Sequence, residues 1–172
     1  MKDQRGVTLI ELLIYITIVG VIMVTVVSFM MNLLTSRSKV SAVSEVLANA
    51  RLMQDRLNDA ARHAEGINVG SSTFGTDPGV LSLNMADTGV DPTVFSLTSD
   101  DGQFQINEAG GGNVLVSSND VKITNLVFSN LTTVEDIGII QVKFTVTAVN
   151  PSDSDLFDYA ENFQTSLRIP LD

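Results

Sequence analysis

The sequence predicts an α+β protein in which one long N-terminal helix packs, through its second half, on an antiparallel β-sheet. Three observations predict it. An apolar run without Lys or Arg extends from Val7 to Leu34. An amphipathic stripe then continues, without Gly or Pro, as far as Glu65. The end of the chain alternates apolar and polar residues.

Composition narrows the function classes. The chain has 172 residues, enough for one domain and one additional element. Twenty acidic residues against 10 basic ones give a net charge of -10. That balance argues against a nucleic-acid partner, because phosphate binding needs a basic face. There is no Cys, so disulfides, thiolate catalysis and Cys-based zinc sites are excluded. With a single His63 and no Trp, the chemistry open to the chain narrows further.

The first element is the run Val7–Leu34, 28 residues interrupted by one carboxylate, Glu11. As a helix it extends roughly 42 Å and so covers a hydrocarbon core of about 30 Å. Ile and Val are abundant in it. In lipid the backbone has no partner but itself, and the helix is enforced. A secretory signal peptide is a shorter alternative, but no small-x-small cleavage site follows the run. A plain single-pass anchor fits the length equally well. Glu11 separates these readings. Deep in a bilayer a carboxylate costs about 2.5–3.5 kcal/mol, less near an interface, and a plain anchor gains nothing from it. Cleavage after Gly6 would instead place a new α-amino group on Val7, about one turn from Glu11, able to neutralise it within one chain or between neighbouring copies.

The stretch Gly6-Val7-Thr8-Leu9-Ile10-Glu11-Leu12-Leu13, preceded by Lys2 and Arg5, resembles the prepilin cleavage and methylation motif of type IV pilins and type II secretion pseudopilins. Val7 departs from the Phe or Met frequent at the first mature position. The resemblance implies cleavage between Gly6 and Val7 by a membrane prepilin peptidase, N-methylation of Val7, and pairing of Glu11 with the amine of an adjacent subunit. It places the leader in the cytoplasm, which the nearly balanced flanking charges (Lys2 and Arg5 before the run, Arg37 and Lys39 after it) do not decide. Ser28 stands where major pilins commonly carry a kinking Pro, a departure that leans towards a minor pilin or minor pseudopilin.

The second element continues the helix. Val43, Val46, Ala50, Met53, Leu57, Ala60 and Ala64 recur at spacings of three and four, and Arg51, Asp55, Arg56, Asp59 and Arg62 fill the remaining faces. Arg51 and Asp55 are spaced for an i,i+4 pair. Gly66 suits a C-terminal cap after Glu65. His63, near that end, reads as an exposed residue favourable at a helix C-terminus, since no nucleophile partner accompanies it.

Gly66 to Gly79 reads as a loop. Strand-like pieces follow: Val80–Met85, short and edge-like; Thr93–Thr98 and Phe104–Ile106, joined by a hairpin turn at Asp101-Gly102; Val114–Val116 after the loose Gly110-Gly111-Gly112 turn; and Val121–Phe128. Ile140–Ala148 and Phe163–Ile169 alternate cleanly, which describes a sheet with one buried and one wet face. The buried face needs a cover, and the Val43–Ala64 stripe is the amphipathic helix available for it. This arrangement resembles the pilin fold. Val114–Leu126 and Phe163–Arg168 resemble segments of minor-pseudopilin-like proteins.

The resulting organisation is a leader peptide at 1–6, a transmembrane and filament-core half of the helix at 7–34, an amphipathic half at 35–65, and an antiparallel β domain at 66–172. No Ser nucleophile motif, phosphate-cradling Gly loop or His pair is present, and Glu135-Asp136 are adjacent and point apart, so no enzymatic activity is expected. No cofactor is expected either. The one candidate metal site is Asp153, Asp155 and Asp158, whose oxygens suit Ca2+ although the loop lacks the Gly and terminal Glu of an EF-hand. The implied partners are a prepilin peptidase, other pilin or pseudopilin subunits, an inner-membrane assembly platform and the lipid bilayer. The expected location is the bacterial inner membrane, with the globular domain outside the cytoplasm and later in a filament. An anchored binding or adhesion domain that never polymerises is the alternative.

Overall fold

The structure is a computed structural model that describes residues 7–133, 136–149 and 158–171, the side chains of Thr35 and Ser38 excepted. The chain forms two compact units, residues 1–40 and 41–172. The helix α1 (Leu9–His63) supplies the first unit with its apolar stretch and the second with its amphipathic one. It stays helical through Gly20 and Ser28, consistent with the absence of Pro.

Within the second unit, α1 buries Ala42, Val46, Ala50, Met53, Leu57 and Ala61, and Ala64 follows in the next element. The stripe differs slightly from the expected one. Ala42 and Ala61 are buried where Val43 and Ala60 were expected, and both of the latter are half-buried beside them. The spacing of 3.6 residues per turn drifts the stripe by one position at each end. Arg51 and Asp55, spaced as an i,i+4 pair, make no ion pair among the described residues.

The helix ends at His63, two residues before the expected end and without a Gly cap. Ala64–Ile67 forms strand β1 instead of a helix end and loop. Its pairing with β2 (Leu81–Met85), Gly66 opposite Asn84 and Ile67 opposite Leu83, supplies the backbone partners that further helix would have given. This converts β2 from an edge strand into an interior one, with Leu81, Ser82 and Leu83 all buried. The first sheet continues through β3 (Thr93–Leu97), β4 (Phe104–Glu108) and β5 (Asn113–Leu115) in the order β1-β2-β3-β4-β5, every neighbour antiparallel.

A second antiparallel sheet holds β6 (Val121–Asn130), β7 (Ile137–Ala148) and β8 (Ala160–Pro170). In β7 the even positions from Gly138 to Ala148 are buried, as the alternation requires. Phe144 faces Phe163 directly across the β7–β8 ladder, and their rings stack at 5.4 Å. β6 carries a bulge between Thr124 and Val127, where Asn125 adopts φ 52°.

The two sheets are stitched together by backbone hydrogen bonds. Gly75 N–H donates to Phe128 O, Gly79 N–H to Leu126 O and Ile123 N–H to Gly102 O, each at 2.8 Å. The Asp101-Gly102 turn is thereby pressed on β6. Gly102 has φ +62°, and a Cβ there would stand 2.8 Å from the Ile123 carbonyl oxygen. One core results, in which the α1 stripe meets Leu81, Leu83, Phe95 and Phe104 of the first sheet and Phe128, Val142, Phe144 and Leu167 of the second.

Candidate functional site

The site is built on the start of α1. Thr8 precedes the first helical residue, and its Oγ1 accepts the backbone N–H of Glu11 at 3.3 Å, while Thr8 O accepts Leu12 N–H at 3.1 Å. Thr8 is thus the N-cap and Glu11 the third residue of the helix, the spacing of a capping box. A negative charge in the first turn also suits the helix dipole. Sequence reasoning that concentrated on Glu11 missed Thr8, although Thr-x-x-Glu was visible.

The Glu11 carboxylate itself has no hydrogen bond or ion pair among the described residues. It is exposed in the isolated chain, as are its apolar neighbours: Leu9 is 82% exposed, and the series continues to Leu34. An 18-residue window of α1 reaches a mean hydropathy of 2.6 and has no buried share, so the helix is long and apolar enough to cross a membrane. Three hydroxyls within this stretch are internally satisfied. Thr17 donates to Leu13 O at 2.7 Å, Thr25 to Val21 O at 2.9 Å, and Ser28 to Val24 O at 2.8 Å. The stretch from Val7 to Leu34 therefore offers an apolar surface with one charged group, at its first turn.

A family model described as the Prokaryotic N-terminal methylation motif matches residues 1–27. The chain carries a prepilin-type N-terminal methylation motif. No curated protein and no solved structure matches the chain. The prepilin-type motif covers residues 1–6, Val7 and Glu11, and ends inside the apolar part of α1. The motif fits a pilin-type prepilin substrate, and the helix that follows is long and apolar enough to anchor it in a membrane.

Of the other candidate residues, Gly6, Glu135, Asp153 and Asp155 lie outside the described residues, and Asp158 stands just before β8. Among the described residues no group of three or more His, Asp or Glu side chains could hold a metal. His63, the last residue of α1, donates from Nδ1 to Asp59 O at 2.8 Å and lies 3.7 Å from the Asp59 carboxylate. It finishes the helix as expected. The Tyr159 hydroxyl donates to the Glu161 carboxylate, and that hydrogen bond, then desolvation and the adjacent negative charge, raises the phenol above its ordinary pKa.

Proposed function

We propose that the chain is a minor subunit of a type IV pilus or of a type II secretion-type pseudopilus. Prepilin peptidase cuts between Gly6 and Val7 and methylates the new amine of Val7. The subunit waits in the inner membrane until the assembly platform moves it into a filament, where the 7–34 segments of many copies replace lipid contacts with one another. Glu11 then pairs with the Val7 amine of a neighbouring subunit and sets the register.

The observation that carries this reading is the Glu11 carboxylate, left without a partner among the described residues on an exposed apolar helix within a prepilin-type motif. An unpaired charge in an apolar setting needs a partner from outside, and cleavage supplies a cation to every copy. The uninterrupted helix through Ser28 supports a minor rather than a major subunit.

Mass spectrometry of the membrane-extracted protein tests the processing. The expected N-terminus is Val7 bearing one methyl group, and Gly6→Asp retains the leader. An intact leader on the native protein would favour the alternative, an anchored binding domain that never polymerises. Calcium at Asp153, Asp155 and Asp158 is a separate proposal, tested by isothermal titration with CaCl2 of the native chain and of Asp155→Asn.

A further inference from the structure

The wet face of the second sheet holds a concavity of about 470 Å3, a volume within the range of small-molecule sites, about 300–1,000 Å3. A rung of three side chains, one from each strand, crosses it. Asn125 Nδ2 of β6 donates to Thr145 Oγ1 of β7 at 3.2 Å, and Thr145 Oγ1 donates to Asn162 Oδ1 of β8 at 2.7 Å. All three line the concavity, and Lys143 and Gln164 line it beside them.

The bulge in β6 is what puts Asn125 on this face. Val121 and Ile123 are buried, so an uninterrupted period of two would turn Asn125 inward with them. The register slips between Thr124 and Val127 instead, Asn125 adopts φ 52° and is exposed, and Leu126 takes the buried place. Asn is among the few residues that accept this conformation readily.

The rung also fixes which way the amides turn. With Asn125 Nδ2 and Asn162 Oδ1 committed to Thr145, an acceptor is left at the β6 end, Asn125 Oδ1, and a donor at the β8 end, Asn162 Nδ2. Gln164, without a side-chain hydrogen bond among the described residues, adds one group of each kind.

Charge narrows the occupant further. Among the described residues lining the concavity, Lys143 is the one charged side chain, and it makes no ion pair. In a chain of net charge -10 it is a local place for an anion. One cation is too few for a nucleic-acid backbone. A peptide adds to a sheet through the backbone of an edge strand, whereas this concavity presents side chains on a face. Sugar hydroxyls each donate and accept, as the free amide groups require, and the C–H side of a sugar ring suits Val127 and the Lys143 stem between them.

We propose that this concavity binds an acidic saccharide, its hydroxyls meeting Asn125, Asn162 and Gln164 and its carboxylate meeting Lys143. This binding is independent of leader cleavage and of filament assembly.

The test uses the full chain in micelles of a sugar-free zwitterionic detergent and trigalacturonate labelled with fluorescein at its reducing end. Fluorescence anisotropy is expected to show saturable binding. Lys143→Gln and Thr145→Val, the second releasing both amides, are each expected to weaken it about tenfold while circular dichroism stays native. Lys143→Arg, and Lys122→Gln in β6 outside the concavity, are expected to bind within about twofold of the native chain. Neutral maltotriose is expected to compete at least about tenfold less well than unlabelled trigalacturonate. Absence of saturable binding, equal binding by the native chain and either weakened variant, an equal loss in Lys122→Gln, or equal competition by maltotriose overturns the proposal.

Discussion

Asn49 on α1 holds Ser118 in the β5–β6 loop from both ends of its amide: Asn49 Oδ1 accepts Ser118 N–H at 2.8 Å, and Asn49 Nδ2 donates to Ser118 Oγ at 3.3 Å. Glu45 closes the set, accepting from Asn49 Nδ2 and from Ser118 Oγ, each at 2.9 Å. Asn49 is buried on the helix face that otherwise carries Ala, Val, Met and Leu. Its satisfied amide fixes where the loop leaving the first sheet crosses the helix, 69 residues away in sequence. Asn49→Ala strands the Ser118 N–H and removes this tie, and is expected to cost about 1–3 kcal/mol. Urea unfolding of the full chain in detergent measures it; a loss within error of zero would mean the loop is held by other contacts.

Thr8 and Glu11 separate two duties at the helix start. Thr8→Ala removes the cap and is expected to cost the helix about 1 kcal/mol while leaving the carboxylate in place. Glu11→Ala keeps the hydroxyl and removes the charge. Filament fractions probed by immunoblot are expected to contain the Thr8 variant at reduced level and to lack the Glu11 variant, which still inserts in the membrane. Wild-type incorporation of Glu11→Ala would remove the assembly role from the carboxylate.

Gly102 is constrained twice, by φ +62° and by the Ile123 carbonyl, which is backbone and cannot swing aside. Gly102→Ala is expected to destabilise the protein by about 1–3 kcal/mol, seen as a lower Tm. Gly110, also at positive φ (+68°) but with open space around it, is the control and is expected to lose less. Equal losses at the two positions would assign the effect to backbone conformation alone.

Leu57 lies at the centre of the helix stripe and is fully buried. Leu57→Ala is expected to cost about 2–5 kcal/mol in urea unfolding. The same truncation at Leu52, which is 40% exposed, is expected to stay within about 1 kcal/mol. If Leu52 proved as costly, the helix face assigned to the core would have to be redrawn.

Much of the architecture was legible because periodicity reports burial. Val46, Met53 and Leu57 on the helix and Ile140 to Val146 in β7 carry their faces openly. The helix end was not legible, because Ala64 and Glu65 favour helix locally and become strand only through the distant partner β2. For the same reason Val80–Met85 read as an edge: the strand that covers it was hidden inside an apparent helix end and loop. Asn49 escaped notice because a polar residue on an apolar stripe is decipherable only once Ser118 is beside it. At the candidate site, order and spacing sufficed to single out Glu11, since one charge in 28 residues has no competitor.

The back-bonded hydroxyls of Thr17, Thr25 and Ser28 make the rod directionally simple. Between Ile16 and Met31 its sides slide without preference against lipid, because the hydroxyls of that span turn back on the helix. Vertical position is then dictated from one end, as a ruler is read from its zero mark. Moving the acid one turn along, by combining Glu11→Leu with Tyr15→Glu, would displace that zero by about 6 Å and leave the rest of the scale unchanged.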